Sequence, residues 1–439
     1  MTKSHYACDI SRTLETEIGT GGLTGPVFDA VLKRAQGAAA RLKQKHAADE
    51  LMLTRLLSER DDLDALKAFS AKLTKDTADL VILGIGGSSL GAQALAQLTG
   101  WGLPGYRPPA DRPTIHLPEN LDPLTFERLL ASCNLRTTRF LIVSKSGGTA
   151  EPLTQMLAAM TAVEKAGGGE YLGQHFFVLT SLGDGNPLRQ VAERHDLSIL
   201  DHADIGGRFS VLSNTGLLPA ELLGIDGQRL RLGAASTLEA TLTDEKSPVV
   251  LCAATTVGLL EERGVSLSAL TSYDDRLLRF GLWFRQLWGE SLGKDGAGLT
   301  PLAGVGPVDQ HSQLQLYLAG PNDKLHTIIT RDVKGEGPVP TSDFASGPLS
   351  AYAGTTMGDL LDAEQRATLA TLAKNGRPVR HLNVTTLNEE SMGALLMHFM
   401  LETILVADML GVDPFDQPAV EEGKVLARAY LADSGRSVK

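Results

Sequence analysis

The sequence predicts an α/β protein with two successive layers of mainly parallel sheet and helical segments at both ends. Short continuous apolar runs recur at 79–83, 114–117, 140–143 and 176–179, with helical patterns between them. Strands alternating with helices imply a parallel sheet covered on both faces. After a loop-rich connector at 201–226 a second alternation follows, with helices over 248–263 and 274–288 and strands over 267–271, 324–330 and 379–384. Two runs of the first set end in glycine- and serine-rich turns, and open α/β sheets bind ligands at the carboxyl ends of their strands.

With 439 residues the chain is long enough for more than one real core. The expected division is a helical N-terminal segment over 1–75, α/β domains over 76–230 and 231–412, and a helical C-terminal segment over 413–439. An amphipathic helix starts at 26–34 and one or two more lie within 49–73. Gly, Pro and Ser crowd 333–354, which reads as an exposed excursion. A long apolar helix covers 391–410, and the tail from 415 ends in another. A net charge of −11 argues against a nucleic-acid surface. The longest apolar stretch, 393–410, is interrupted by His398, Glu402 and Asp408, so no membrane span is expected. No basic-then-apolar leader is seen, and the expected location is cytoplasmic. Cys8, Cys133 and Cys252 lie too far apart in sequence to form a disulfide framework or a metal pattern, and no metal is expected.

The apolar run at 140–143 leads into Ser144-Lys145-Ser146-Gly147-Gly148-Thr149 and then a helical pattern with Pro152 in its first turn. A hydroxyl-lined turn at a helix N-terminus is an anion site, with phosphate the usual occupant. The bland alternative is a connection whose glycines make only the turn. Gly84-Ile85-Gly86-Gly87-Ser88-Ser89 is a weak dinucleotide fingerprint. Its sixth position is serine, and Glu119 lies beyond a proline, badly placed for a ribose. The hydroxyls suit a sugar or phosphate better.

Gly206-Gly207-Arg208 allows close backbone approach with a guanidinium pointing into a cleft, although such an arginine is commonly an ordinary ion-pair residue. Gln286 and Glu290 share a helix face if the helix persists, but Gly289 and Gly293 suggest that it ends there. Glu290 would then lie at the helix exit beside two tryptophans, an environment suited to a general base, or would pair with Lys294. His311 opens a short helix at 313–318, where it would be a neutral proton shuttle, although a lone histidine is more often structural. Gln417 and Lys424 flank a later helix start.

In this order, from Gly84 to Lys424, these stretches resemble the glucose-6-phosphate isomerases (phosphoglucose isomerases) of the shorter bacterial type. The resemblance rests on Ile205-Gly206-Gly207-Arg208-Phe209-Ser210 and on Asp416-Gln417 followed by Val420-Glu421 and Lys424. It implies two sugar-isomerase (SIS-type) three-layer α/β/α sandwich domains and a homodimer with shared active sites. The implied reaction is the reversible aldose–ketose isomerisation of glucose 6-phosphate and fructose 6-phosphate, through ring opening and a cis-enediolate, with no cofactor. Carried over by position, Ser144, Ser146 and Thr149 form the phosphate cradle. Lys145 belongs to it by position, with no chemistry assigned. Gly87 and Ser88 lie near the sugar, Glu290 is the base and Arg208 faces the enediolate. His311, from the partner subunit, and Lys424 open the ring; Gln286 and Gln417 contact substrate. Gly148, Asn214-Thr215 and Ala419 depart from the family pattern, the first in place of a third cradle hydroxyl. A sugar-phosphate-binding regulator and an isomerase of another hexose 6-phosphate remain open readings at this point.

Overall fold

The computed structural model describes residues 5–183 and 185–434. Among them the strands are β1 (Ala7–Asp9), β2 (Asp79–Leu83), β3 (Thr114–His116), β4 (Thr138–Val143), β5 (Phe176–Thr180), β6 (Ser198–Asp201), β7 (Leu267–Ser272), β8 (Thr300–Val305), β9 (Lys324–Arg331) and β10 (Val379–Val384). They form two five-stranded sheets, ordered β3-β2-β4-β5-β6 and β1-β10-β9-β7-β8. Every pairing is parallel except that of β1 on β10.

The central strands are apolar throughout because both faces are covered. Along β2, Leu80 and Ile82 enter one core while Val81 and Leu83 enter the other, as the two-residue period requires. The sequence reading passes over β1, β6 and β8, all edge strands. These are half-exposed, and β8 carries Pro301 and Gly304, so the apolar signal is diluted where one side of the strand faces no neighbour.

The N-terminal segment is not purely helical, because β1 extends the second sheet. The Gly25–Ala47 helix is capped by Thr24 and packs against the Pro248–Arg263 and Glu389–Leu410 helices. The start of the chain is thus built into the second layer. The connector expected to be loop-rich is largely helical, with a 3-10 turn over Gly207–Leu212 and a helix over Asn214–Leu222. Its glycines read as breakers for a different reason: a Cβ on Gly216 would stand 2.1 Å from the Val211 carbonyl oxygen. The excursion at 333–354 is exposed, with Phe344 at its tip 85% accessible.

Glu389–Leu410 is the one described helix long and apolar enough to cross a membrane, yet 83% of its apolar window is buried in the protein. Glu402, at 0% exposure, pairs there with the equally buried Arg380 of β10. His398 lies 3.5 Å from Glu402 and 2.7 Å from the Tyr6 hydroxyl. Beside this cluster the Cys8 and Cys252 sulfurs stand 3.6 Å apart, a proximity that sequence spacing does not reveal.

Candidate active site

In the first sheet the chain leaves β2 on one side to make β3 and returns on the other to make β4. This reversal opens a crevice at the carboxyl ends of β2 and β4, where open α/β sheets take ligands. Both glycine turns lie there, side by side. Ser144 is buried, its hydroxyl 3.0 Å from that of Thr149, and its carbonyl accepts from Thr180 at 2.6 Å. Thr149 sits at the N-cap of the Ala150–Val163 helix without capping it, and among the described residues no side chain caps the first turn. Gly147 has φ +63°, and a Cβ there would lie 1.7 Å from Asn186 Oδ1. Asn186, which sequence reasoning missed, therefore backs the turn while donating to Thr180 at 2.7 Å. Ser146 is exposed and accepts from the Gly148 N–H at 3.3 Å; space around Gly148 is open. Lys145 does not face the turn alone, for its ammonium bonds Asp204 at 2.8 Å.

The second glycine turn brings the arginine. A Cβ on Gly87 would stand 2.2 Å from the Gly207 carbonyl carbon, so the two backbones touch and Arg208 follows directly. Ser88 is partly exposed in this turn and Ser89 buried. Arg208 is 3% exposed and fully engaged. Its Nη1 donates to Glu290 at 3.2 Å and to Gln417 Oε1 at 2.7 Å, and Nε donates to Ser291 Oγ at 2.8 Å. Nη2 donates to the Pro414 and Asp416 carbonyls. Burial pulls the guanidinium below its ordinary pKa, and Glu290 counteracts that. That Ser291 and the Pro414 and Asp416 carbonyls hold this arginine is not legible in the sequence, and only the fold reveals it.

Glu290 departs from expectation in two ways. The helix does not end at Gly289 but runs over Leu278–Leu292, so Gln286 Nε2 donates to Glu290 Oε1 at 3.0 Å. In place of tryptophan surface, its oxygens meet a carboxamide and a guanidinium, because Trp283 and Trp288 turn into the core. Lys294 instead pairs with Asp416 at 2.8 Å and so pins the C-terminal strap. Gly86 has φ +57°, and a Cβ there would lie 2.9 Å from Gln286 Nε2, so the Gly86–Ser88 turn and this helix come into contact. Gln286 Oε1 is buried with no hydrogen-bond partner among the described residues.

The fold thus brings Gly87, Ser88, Arg208, Gln286, Glu290 and Gln417 together. His311 and Lys424 stand apart. His311 is exposed on the turn after β8, and its side chain makes no hydrogen bond or ion pair among the described residues. Lys424, exposed on the Glu421–Ser434 helix, pairs with Glu421 at 2.7 Å. The departures at Asn214 and Thr215 are absorbed locally: Thr215 bonds His202 at 2.9 Å and Asn214 bonds the Asp201 carbonyl at 2.6 Å. The corresponding reversal of the second sheet, at β7 and β9, is filled by Asp274, which takes Arg276 at 2.8 Å and Arg331 at 2.9 Å.

One crevice lined with hydroxyls beside a buried arginine, and a second closed by ion pairs, define an α/β protein of two parallel layers with one sheet reversal left open for a ligand. A glucose-6-phosphate isomerase from Chlamydia trachomatis superposes with a TM-score of 0.80 over 98% of this chain and 89% of its own, at 20% identity. A hypothetical protein from Thermus thermophilus superposes with a TM-score of 0.82 at 31% identity, covering 97% of this chain and 100% of its own. The family model for phosphoglucose isomerase matches residues 58–301. A glucose-6-phosphate isomerase from Rubrobacter xylanophilus is 35% identical over 432 residues, 97% of this chain and 98% of its own. The chain belongs to the phosphoglucose isomerase family.

Proposed function

We propose that the protein interconverts glucose 6-phosphate and fructose 6-phosphate, with Glu290 as the base that carries the proton between C2 and C1. The observation that carries this assignment is the Glu290 carboxylate, 32% exposed, held 3.2 Å from a buried guanidinium. Aldose–ketose isomerisation removes a carbon-bound proton and leaves negative charge on oxygen. One positioned carboxylate can take and return that proton, an effect of about 10²–10⁴ in rate. A fixed cation whose bonds are already made stabilises the enediolate without reorganising. Gln286 Oε1, buried with no hydrogen-bond partner among the described residues, is a free acceptor for a substrate hydroxyl that reaches it.

In this reading Ser144, Lys145, Ser146 and Thr149 hold the phosphate, with the first-turn N–H groups of the Ala150–Val163 helix as further donors. Lys145 contributes positive charge at the rim, shared with Asp204. Gly87, Ser88 and Gln417 face the sugar. Binding energy from the phosphate keeps the reacting carbons in register. His311 and Lys424 open the ring, moving protons to the ring oxygen and from the C1 hydroxyl. A homodimer accounts for an exposed His311 whose side chain makes no hydrogen bond or ion pair among the described residues. It also accounts for a C-terminal helix that exposes Val425, Leu426 and Tyr430 at 60%, 44% and 68%. The same reading places the enzyme in glycolysis and gluconeogenesis, in the cytoplasm.

The test is Glu290→Gln. We expect exchange of the C2 proton with solvent, followed by NMR, to fall by at least about 10²-fold while sugar-phosphate binding persists. Retention of more than a few per cent of activity would remove Glu290 from the role.

A further inference from the structure

Asp79, His116 and Cys133 converge on the first sheet well away from the crevice. Asp79 opens β2, at the end opposite Gly84, and His116 closes β3. Parallel register pairs Asp79 with Thr114 and Val81 with His116, so both side chains stand on the sheet face that carries Val81. The Pro123–Ser132 helix follows β3 and delivers Cys133 as its C-cap. One donor atom from each residue lies within 4.8 Å of the others, with Asp79 Oδ1 and His116 Nε2 at 2.8 Å. Asp79 and His116 are 22% and 27% exposed, so the cluster is open to water on one side.

An aspartate–histidine pair alone would be an ordinary surface contact, and a half-buried thiol alone a small apolar filler. Together they offer an oxygen, a nitrogen and a sulfur from three separate chain segments. That mixed donor set favours a borderline-soft divalent cation such as Zn²⁺ over Mg²⁺ or Ca²⁺, which take oxygen ligands.

We propose that Asp79, His116 and Cys133 bind one Zn²⁺-class cation, with solvent as fourth ligand, which clamps the edge strand β3 to β2 and to the helix that follows. On binding, the Cys133 S–H bond breaks, its proton passes to solvent, and a sulfur–metal bond replaces it; no electron is transferred. Because the thiol must give up its proton to bind the cation, affinity falls as pH falls. The clamp lies away from Glu290 and Arg208, so it acts on the stability of the sheet edge and not on turnover.

The experiment titrates chelator-treated full-length protein with Co²⁺, a spectroscopic substitute for Zn²⁺. A thiolate-to-cobalt charge-transfer band saturating at one equivalent, displaced by Zn²⁺, is expected. Cys133→Ser should lose the band and Cys8→Ala should keep it, with isomerase activity equal in all three proteins. Zn²⁺ should raise the melting temperature of the wild type and of Cys8→Ala only. If Cys133→Ser does not fold, His116→Gln reads the same loss. Absence of a saturable band in the wild type, or its survival in Cys133→Ser or His116→Gln, overturns the proposal.

Discussion

Arg208 is a different object from a surface arginine, because its donors are already committed. Ser291, Gln417, Glu290 and two strap carbonyls fix its plane, so the charge is aimed before substrate arrives. A lysine keeps the charge and loses the fork. We expect Arg208→Lys to lower kcat by about 10²–10³, the scale of loss when a preorganised charge facing developing charge is no longer held in place, with a smaller change in KM. Steady-state kinetics in both directions check this. At this scale the motifs single out residues that the fold brings together and say little about their surroundings. Arg208 and Glu290 stand in motifs, but nothing in 283–294 says that Lys294 passes Glu290 by and holds Asp416 instead.

The elements explain how residues more than eighty positions apart meet. Gly87 and Gly207 let two backbones touch, and Gly86 lets the Leu278–Leu292 helix approach, so two glycine turns dock on one helix. Gly147 plays the corresponding part in the turn proposed to hold the phosphate. Gly147→Ala would force a side chain into φ +63° and against Asn186. We expect a raised KM for the sugar phosphate with a much smaller effect on kcat, measured by steady-state kinetics. Central strands were legible because burial on both faces leaves an unbroken apolar run. Of the edge strands only β3 was: β1 owes its state to a neighbour far away in sequence, and β8 carries Pro301 and Gly304. The same holds for Gly289, a residue that costs about 1 kcal/mol in a helix interior yet is carried by the packing of Phe284, Leu287 and Trp288 around it.

For the whole molecule, the buried Arg380–Glu402–His398 group ties the helix at the centre of the protein to the second sheet and to Tyr6. Burial alone would lower the pKa of His398, but the Cys252 thiol and the Glu402 carboxylate raise it from 6.5 to about 9. Stability from this histidine is complete below pH 6.5 and is lost as pH rises through about 9. Glu402 opposes its burial through Arg380 and His398, which lower it from 4.5, so its contribution is complete above that value and lost in acid. Melting temperature should therefore fall between pH 6.5 and 9, and His398→Gln should flatten that fall. Assembly gives a second prediction at this scale. If each site draws His311 from the other subunit, inactive Glu290→Gln and His311→Ala proteins should recover activity when dissociated and reassociated together. Mixtures that stay inactive would place His311 in its own chain's site.

The pairing of β1 with β10 also sets an order of events during synthesis. The strands of the first sheet all lie within 79–201, so that layer can close while the ribosome is still making the second. β1 emerges before any of them and has no partner until 379–384 has been made. The second sheet is thus the last to be completed, and a three-residue strand presents little unpaired edge while it waits.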